Sequence, residues 1–417
     1  AIGNQTVNRI AMWDGDAWHP LTGPNGTGVS GDALARVRAI LVHDDGSGPA
    51  VYVAGRFGSA AGVQAFGIAR WDGAEWSPLS GPSGNGFNDE VYDLVVFDDG
   101  NGPKLYAGGA FTTAGGQPAN RVAKWDGSAW SPVGSGMNSR VQALADFDDG
   151  GGPALYAGGT FIVAGGQAAN RIAKWDGTAW SPLGSNGLSS PAPSYTVLSL
   201  AVADDGTGPA LYVGGSFIFA DGLLVNRLAR WDGAAWSALG LGLSGGNVTE
   251  IVPFNTGSGP GLAVGGSFNG ITSGDPAPRV ALYTAADGWQ ALDPGDASPL
   301  NGTVSALATT PGSADTPSTL IIGGAFTTSP SGAARITAWR GCFVPETPCP
   351  ADLTGPALDG IPDGLVGVAD LNFYITLWIN GDPAADLTGP ALDGIPDGLV
   401  GVADLNYYIA LWIDGCP

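Results

Sequence analysis

Asn8-Arg9-Ile10-Ala11-Met12-Trp13-Asp14-Gly15-Asp16-Ala17-Trp18-His19-Pro20-Leu21 decides the fold, because the chain repeats this phrase. Its first tryptophan recurs at Trp71, Trp125, Trp175 and Trp231, with degenerate copies at Tyr283 and Trp339. A period of roughly 50 to 58 residues is one blade of a β-propeller, longer than the step of a helical solenoid.

Within one period four short apolar runs stand between turn residues, for example 141–147, 155–161, 171–175 and 180–183. The first two are joined by Asp-Asp-Gly-x-Gly-Pro, at Asp44, Asp98, Asp148 and Asp204. Glycine there supplies positive φ and proline cannot extend a ladder, so the segment reads as a hairpin loop. The third and fourth runs are joined by Asp-Gly-x-x, and each period is therefore expected to be a four-stranded antiparallel meander.

The order of these elements resembles the kelch family. An apolar strand ends in a glycine pair (Leu105-Tyr106-Ala107-Gly108-Gly109, with parallels at Gly158-Gly159 and Gly214-Gly215), followed by an aromatic before Asp-Gly and then a tryptophan. The resemblance covers roughly residues 8–341, and the Trp-Asp-Gly and Asp-Asp-Gly-x-Gly-Pro elements depart from the common kelch pattern. It implies a propeller whose exposed loops bind partners. The expected fold class is mainly β: a six-bladed propeller, with seven blades as the alternative, plus a small α-helical calcium-loop module. Counting the runs gives six first, six second, seven third and six fourth strands. One third strand is surplus, at either 10–13 or 335–339, and an unpaired strand invites pairing with another chain.

Composition narrows the function. Net charge is −22, from 38 acidic and 16 basic residues, so the surface repels nucleic acid and anionic membrane. No stretch approaches the ~20 apolar residues that cross a bilayer. The opening residues lack a basic region and an apolar run, so any signal peptide is expected to be already removed or to lie outside this sequence. Twelve of the 14 tryptophans lie in the repeat, and aromatics recurring once per blade read as inter-blade core, not as a sugar platform. The Asn-Arg pairs (Asn8-Arg9, Asn120-Arg121, Asn170-Arg171, Asn226-Arg227) read as structural, each Arg bonding a neighbouring Asp or loop carbonyl. The Asp pairs read as turn chemistry over calcium binding.

Catalysis finds little support in the residues. His19 and His43 are isolated, no nucleophile or zinc motif is present, and none of Glu75, Glu90, Glu250 and Glu346 sits in a suggestive context. The expectation is a protein that is not an enzyme. Carboxylate pairs for glycosidase chemistry could still hide among the loop Asp residues.

The character changes after residue 341. A proline-rich linker (342–350) leads into residues 351–417, where 351–379 and 385–413 are near-identical copies in tandem, 34 residues apart. Asp359 to Asp370 has the length of an EF-hand loop, with Asp359, Asp363 and Asp370 at positions 1, 5 and 12 and Gly364 at the sharp turn. Asp393, Asp397, Gly398 and Asp404 repeat it, and the carbonyls of Leu365 and Leu399 fall at position 7. Ile361 and Ile395 at position 3 are not oxygen ligands. An alternative takes Asp352 and Thr354, with Asp386 and Thr388, as the first ligands. After each loop Leu371, Tyr374, Ile375 and Trp378, and then Leu405, Tyr408, Ile409 and Trp412, fall on one helical face.

A loop followed by a single helix, in tandem, resembles the dockerin family over about residues 349–417. The resemblance implies docking onto another protein. About two Ca2+ ions are the expected cofactors, with a Cys349–Cys416 disulfide tying the module's ends, and Cys342–Cys349 as the competing pair. The 1–341 propeller and 351–417 module together read as a secreted, extracellular or cell-surface scaffold or adhesion protein. Its partner would be another protein or further copies of itself, by strand or module exchange. The alternative is a secreted carbohydrate-active enzyme with a dockerin-like anchoring tail.

Overall fold

The computed structural model describes residues 7–340, apart from 15–16, 24, 82–83, 256–258, 273–276, 278, 293–299, 311–318 and 328–335. The linker and the C-terminal module, and with them every expected calcium ligand and all three cysteines, lie outside the described residues.

The described chain is mainly β, with no helix. Five four-stranded antiparallel sheets follow one another along the chain. The first comprises Arg36–Asp44, Pro49–Arg56, Ile68–Trp71 and Trp76–Pro78. The second comprises Val91–Asp98, Pro103–Gly109, Val122–Trp125 and Trp130–Pro132. The third comprises Val141–Asp148, Pro153–Gly159, Ile172–Trp175 and Trp180–Pro182. The fourth and fifth begin with Val197–Asp204 and Val248–Asn255. A sixth has three strands, Val304–Thr310, Thr319–Gly324 and Ile336–Arg340. Ala11–Trp13 and Trp18–Pro20 pair only with each other.

These are the expected blade-like meanders, and the sheets are propeller-like. The surplus strand is resolved: Ile336–Arg340 takes the third place in the sixth sheet, and Ala11–Trp13 is left with a fourth strand but no second. The described residues fall into two compact units, one within 1–202 plus 210–238 and one within 203–209 plus 239–417.

Packing explains the repeat. Phe111 and Phe161, and likewise Phe268 and Phe326, are wholly buried at the same place after the second strand. Each such ring removed from water contributes about 2–3 kcal/mol. In the first three sheets the indole of the fourth-strand tryptophan reaches back to the segment before the sheet: Trp76 Nε1 donates to the Leu21 carbonyl (3.3 Å), Trp130 to Leu79 (3.4 Å) and Trp180 to Val133 (3.0 Å). In the other unit Trp289 donates to Leu239 (2.7 Å). The tryptophans whose side chains are described are inter-sheet core, as their recurrence implied, except that Trp13 is 49% exposed.

Two details were not legible in the sequence. The third strand was expected to begin at Arg171, but it begins at Ile172, because Arg171 takes a left-handed conformation (φ 70°). Its guanidinium donates to the carbonyls of Thr160 and Phe161, and Arg121 and Arg279 repeat the arrangement. An arginine in this region is strained, so the two carbonyls hold the turn. The adjacent Asn170 Nδ2 donates to the Asn186 carbonyl at 2.7 Å. We expect Arg171→Ala to lower stability by about 2 kcal/mol, read from urea midpoints, since the bonds vanish while the strain remains. The second detail is a small hairpin between second and third strands, such as Thr113–Ala114 with Gln117–Pro118, stitched by a Phe87–Ala114 bridge to the segment that leads into the same sheet.

Candidate functional site

Residues repeated in every blade are accounted for by structure. In the hairpin loops the first aspartate caps the turn: Asp148 Oδ1 accepts from the amides of Gly150 (2.9 Å) and Gly152 (3.0 Å), as Asp44, Asp98 and Asp204 do in theirs. The second aspartate faces the sheet. Asp149 Oδ2 accepts from Lys174 Nζ (2.5 Å) and Tyr156 OH (2.7 Å), and Asp99 accepts from Lys124 (2.7 Å) and Tyr106 (3.1 Å). Burial pushes these carboxyls up, but the lysine and tyrosine donors more than offset it and hold both below the usual range. Turn chemistry is what the loop aspartates show. Among the described residues no group of three or more His, Cys, Asp or Glu is placed to hold a metal.

What breaks the repeat is then the place to look for function. At the start of the first strands the repeat holds one aliphatic position, Val37, Val91 and Val141, each paired with a glycine of its neighbour strand, Gly55, Gly109 and Gly159. The residues around it differ from sheet to sheet: Arg36, Glu90 and Arg140 before it, Arg38, Tyr92 and Gln142 after it, then Ala39, Asp93 and Ala143. A β-bulge at this point is common to five of the first strands, so the kink belongs to the fold and the variable side chains are carried on it.

These side chains form one cluster. Glu90 is buried, and its carboxylate takes a bidentate bond from Arg36 (Nε–Oε1 2.6 Å, Nη2–Oε2 2.7 Å) and a third from Arg38 Nε (2.7 Å). Both arginine side chains remain about two-fifths exposed. Arg38 lies 5.4 Å from the centre of the Tyr92 ring. Arg56 donates to Asp32 at 2.8 Å beside them. Burial pushes the Glu90 carboxyl up, yet the bonds from Arg36 and Arg38 prevail and keep it below the ordinary glutamate value.

Asp93, three residues on, is shifted the other way. Its carboxyl is enclosed between the first strands of the second and third sheets, although the residue as a whole is only half-buried. Desolvation raises it to about 7, against the amides of Leu94 (2.8 Å) and Leu144 (2.7 Å) that favour the charged form. No cation is bonded to it in the way that Arg36 and Arg38 serve Glu90. The sign follows: a raised folded-state value binds the proton more tightly than the unfolded chain does, so the stability contributed is full below about pH 4 and is lost as pH rises to about 7. Ala143 occupies this position in the third sheet. We therefore expect Asp93→Ala to lose that decline, in chemical denaturation compared at pH 4.5 and 7.5.

Sequence reading passed over Glu90 because no local motif marks it. Its partners stand 54 and 52 residues away, and only the side-by-side placing of two first strands joins them.

No family model and no curated protein matches the chain. Solved structures do. One is the extracellular domain of a one-component system from B. thetaiotaomicron, at 11% identity and a TM-score of 0.36, covering 75% of this chain and 39% of that one. Another is an ancestral GH74 enzyme, at 13% identity and a TM-score of 0.42, covering 76% of this chain and 44% of that one. The chain spans about two-fifths of the length of each. The expectation of a protein that is not an enzyme is corrected here: one of these two solved structures is an enzyme. No described helix is long and apolar enough to cross a membrane.

Proposed function

We propose that this chain is a secreted carbohydrate-active protein that acts at the cluster of Arg36, Arg38, Glu90, Tyr92 and Asp93. The observation that carries the reading is the opposed shift of two neighbouring carboxyl groups. Glu90 stays anionic, while Asp93 holds its proton up to about pH 7. Environments that drive two carboxyls apart are what acid-and-base chemistry at a glycosidic bond requires. Asp93 would donate its proton to the leaving oxygen as the glycosidic C–O bond breaks, water would add to the anomeric carbon and return a proton to the Asp93 carboxylate, and Glu90 would stay anionic and hold the two arginines in place. The exposed guanidinium edges and the Tyr92 ring offer planar donors and a stacking face, which suit a polyhydroxylated ligand.

The test is release of reducing ends from a panel of soluble polysaccharides, alongside gel-retardation affinity. Asp93→Ala is expected to lower kcat/KM at least a hundredfold with retained binding, and parent activity to fall as pH rises through about 7. Full activity in Asp93→Ala on any hydrolysed polysaccharide contradicts the assignment.

The tandem module is proposed to dock the protein onto a protein partner. Its donors are oxygens: the carboxylates of Asp363, Asp370, Asp397 and Asp404 and the carbonyls of Leu365 and Leu399, together with either Asp359 and Asp393 or Asp352 and Thr354 with Asp386 and Thr388. Such a set fits Ca2+ and not zinc, with Ile361 and Ile395 the discordant positions. Bound calcium would supply the charge that lets these carboxylates converge. About two ions per chain are expected in calorimetric titration, with helical circular dichroism lost on chelation.

A further inference from the structure

Glu90 does not use up the two arginines that hold it. Arg36 gives it Nε and Nη2, whereas Arg38 gives only Nε. Arg36 Nη1 and the whole Nη1–Nη2 edge of Arg38 have no hydrogen-bond partner among the described residues. Both side chains are about two-fifths exposed. Anchored through Nε, Arg38 presents two parallel N–H donors in a fixed plane, which is the geometry that grips a carboxylate or a sulfate through two bonds at once.

A third cation stands at the same level. The first strands of the first three sheets lie side by side, joined by the Arg36 and Arg38 bonds to Glu90 and by the Leu144 amide donating to Asp93 Oδ2 (2.7 Å). In this row Arg140 stands before Val141 as Glu90 stands before Val91 and Arg36 before Val37. Arg140 is exposed, and its guanidinium has no hydrogen-bond or ion-pair partner among the described residues. Burial and the Glu90 charge raise the Tyr92 phenol above its ordinary value, while the Arg140 and Arg38 charges oppose them. Both cations are therefore near the Tyr92 ring, Arg38 at 5.4 Å from its centre. Since Arg38 comes from the first sheet and Arg140 from the third, Tyr92 on the second stands between them.

Charge sets this end apart from the rest of the chain, whose net value is −22. Here Arg36, Arg38 and Arg140 face the buried Glu90, and Arg56 is balanced by Asp32. Asp89 is the exposed acid that opposes them, with its Oδ1 turned to the Glu90 amide (2.7 Å). Charges more than about 8 Å away are largely screened at physiological ionic strength, so a ligand that has arrived meets the local cations and not the acidic remainder. We infer that the site takes an acidic polysaccharide, a chain whose sugar rings carry carboxylate or sulfate. One ring stacks on Tyr92, and the anions of that ring and its neighbours meet the open edge of Arg38 and the guanidinium of Arg140. The inference rests on the carbohydrate reading above and narrows it. A neutral glycan leaves these donors with uncharged partners, whereas an anion makes charge-assisted bonds roughly twice as strong.

The experiment titrates the full chain calorimetrically with polygalacturonate, its neutral methyl ester, sulfated dextran and plain dextran. At least one acidic polymer is expected to bind at least tenfold more tightly than its neutral counterpart, and which one does so identifies the anion. Arg140→Gln is expected to remove most of that preference with a thermal midpoint near that of the parent. Arg38→Lys is expected to do the same to the preference, because lysine keeps the charge but not the fork. Equal affinity for acidic and neutral polymers overturns the inference and leaves cleavage at Asp93 standing. A preference without Asp93-dependent cleavage keeps the inference and removes the hydrolytic reading. A preference unchanged in both variants, or no binding of any of the four polymers, also overturns the inference.

Discussion

Gly158→Val is expected to be the most destabilising single change in the third sheet, costing about 3 kcal/mol. The position lies on the second strand where the next sheet rests. A Cβ there would meet Val197 Cγ1 at 2.4 Å and Val197 Cβ at 3.0 Å. Val197 belongs to a buried cluster that includes Tyr156, Ile172 and Leu211, so no space exists to receive the added methyl groups. The first sheet carries Ala54 at the corresponding place, paired with Ala39 as Gly158 is with Ala143. One methyl is thus tolerable when the facing residue is adjusted, and Gly158→Ala should cost roughly half as much. Urea midpoints for the two variants check the order. Equal stabilities would mean that the seam yields.

Asp149→Ala is expected to cost about 2–3 kcal/mol, because it leaves Lys174 and the Tyr156 hydroxyl without their shared acceptor in a mostly enclosed place. The lysine side chain keeps about a fifth of its exposure, which holds the figure below that of a fully buried pair. Lys174→Met in the same chain should recover part of the loss. A folded-state value depressed below the ordinary one makes this stability present above about pH 4 and lost as pH falls through the lowered value. The pH dependence that Asp149 adds is therefore opposite in direction to that of Asp93. Urea titrations of parent and variant at pH 7 and pH 3 should converge at the lower pH. An unchanged gap at pH 3 would remove the ion pair from the account.

How much of this was readable beforehand follows from the range of each interaction. The Trp-Asp-Gly phrase and the Asp-Asp-Gly loops are local, and they placed the strands of each sheet to within a few residues. The partner of each Asp pair was not visible, because Lys174 stands 25 residues from Asp149 and only the pairing of second and third strands brings them together. The same holds more strongly for Glu90, read as an unremarkable glutamate and found under two arginines of another sheet. Arg171 looked like the first residue of a strand because nothing in its neighbours announces a left-handed turn. Counting third strands did expose a surplus, and the structure assigns it to Ala11–Trp13 and not to Ile336–Arg340. The calcium ligands and the disulfide between Cys349 and Cys416 lie outside the described residues and stand as expectations.

The central claim is a division of labour: residues that recur in every sheet hold the fold, and residues that break the repeat meet the ligand. Polysaccharide affinity and thermal midpoint, measured together for Arg38→Ala and Lys174→Met, test it most directly. The account predicts that Arg38→Ala weakens binding at least tenfold with a midpoint near that of the parent, while Lys174→Met lowers the midpoint and leaves the affinity of the folded protein unchanged. Binding lost in Lys174→Met but kept in Arg38→Ala would contradict it.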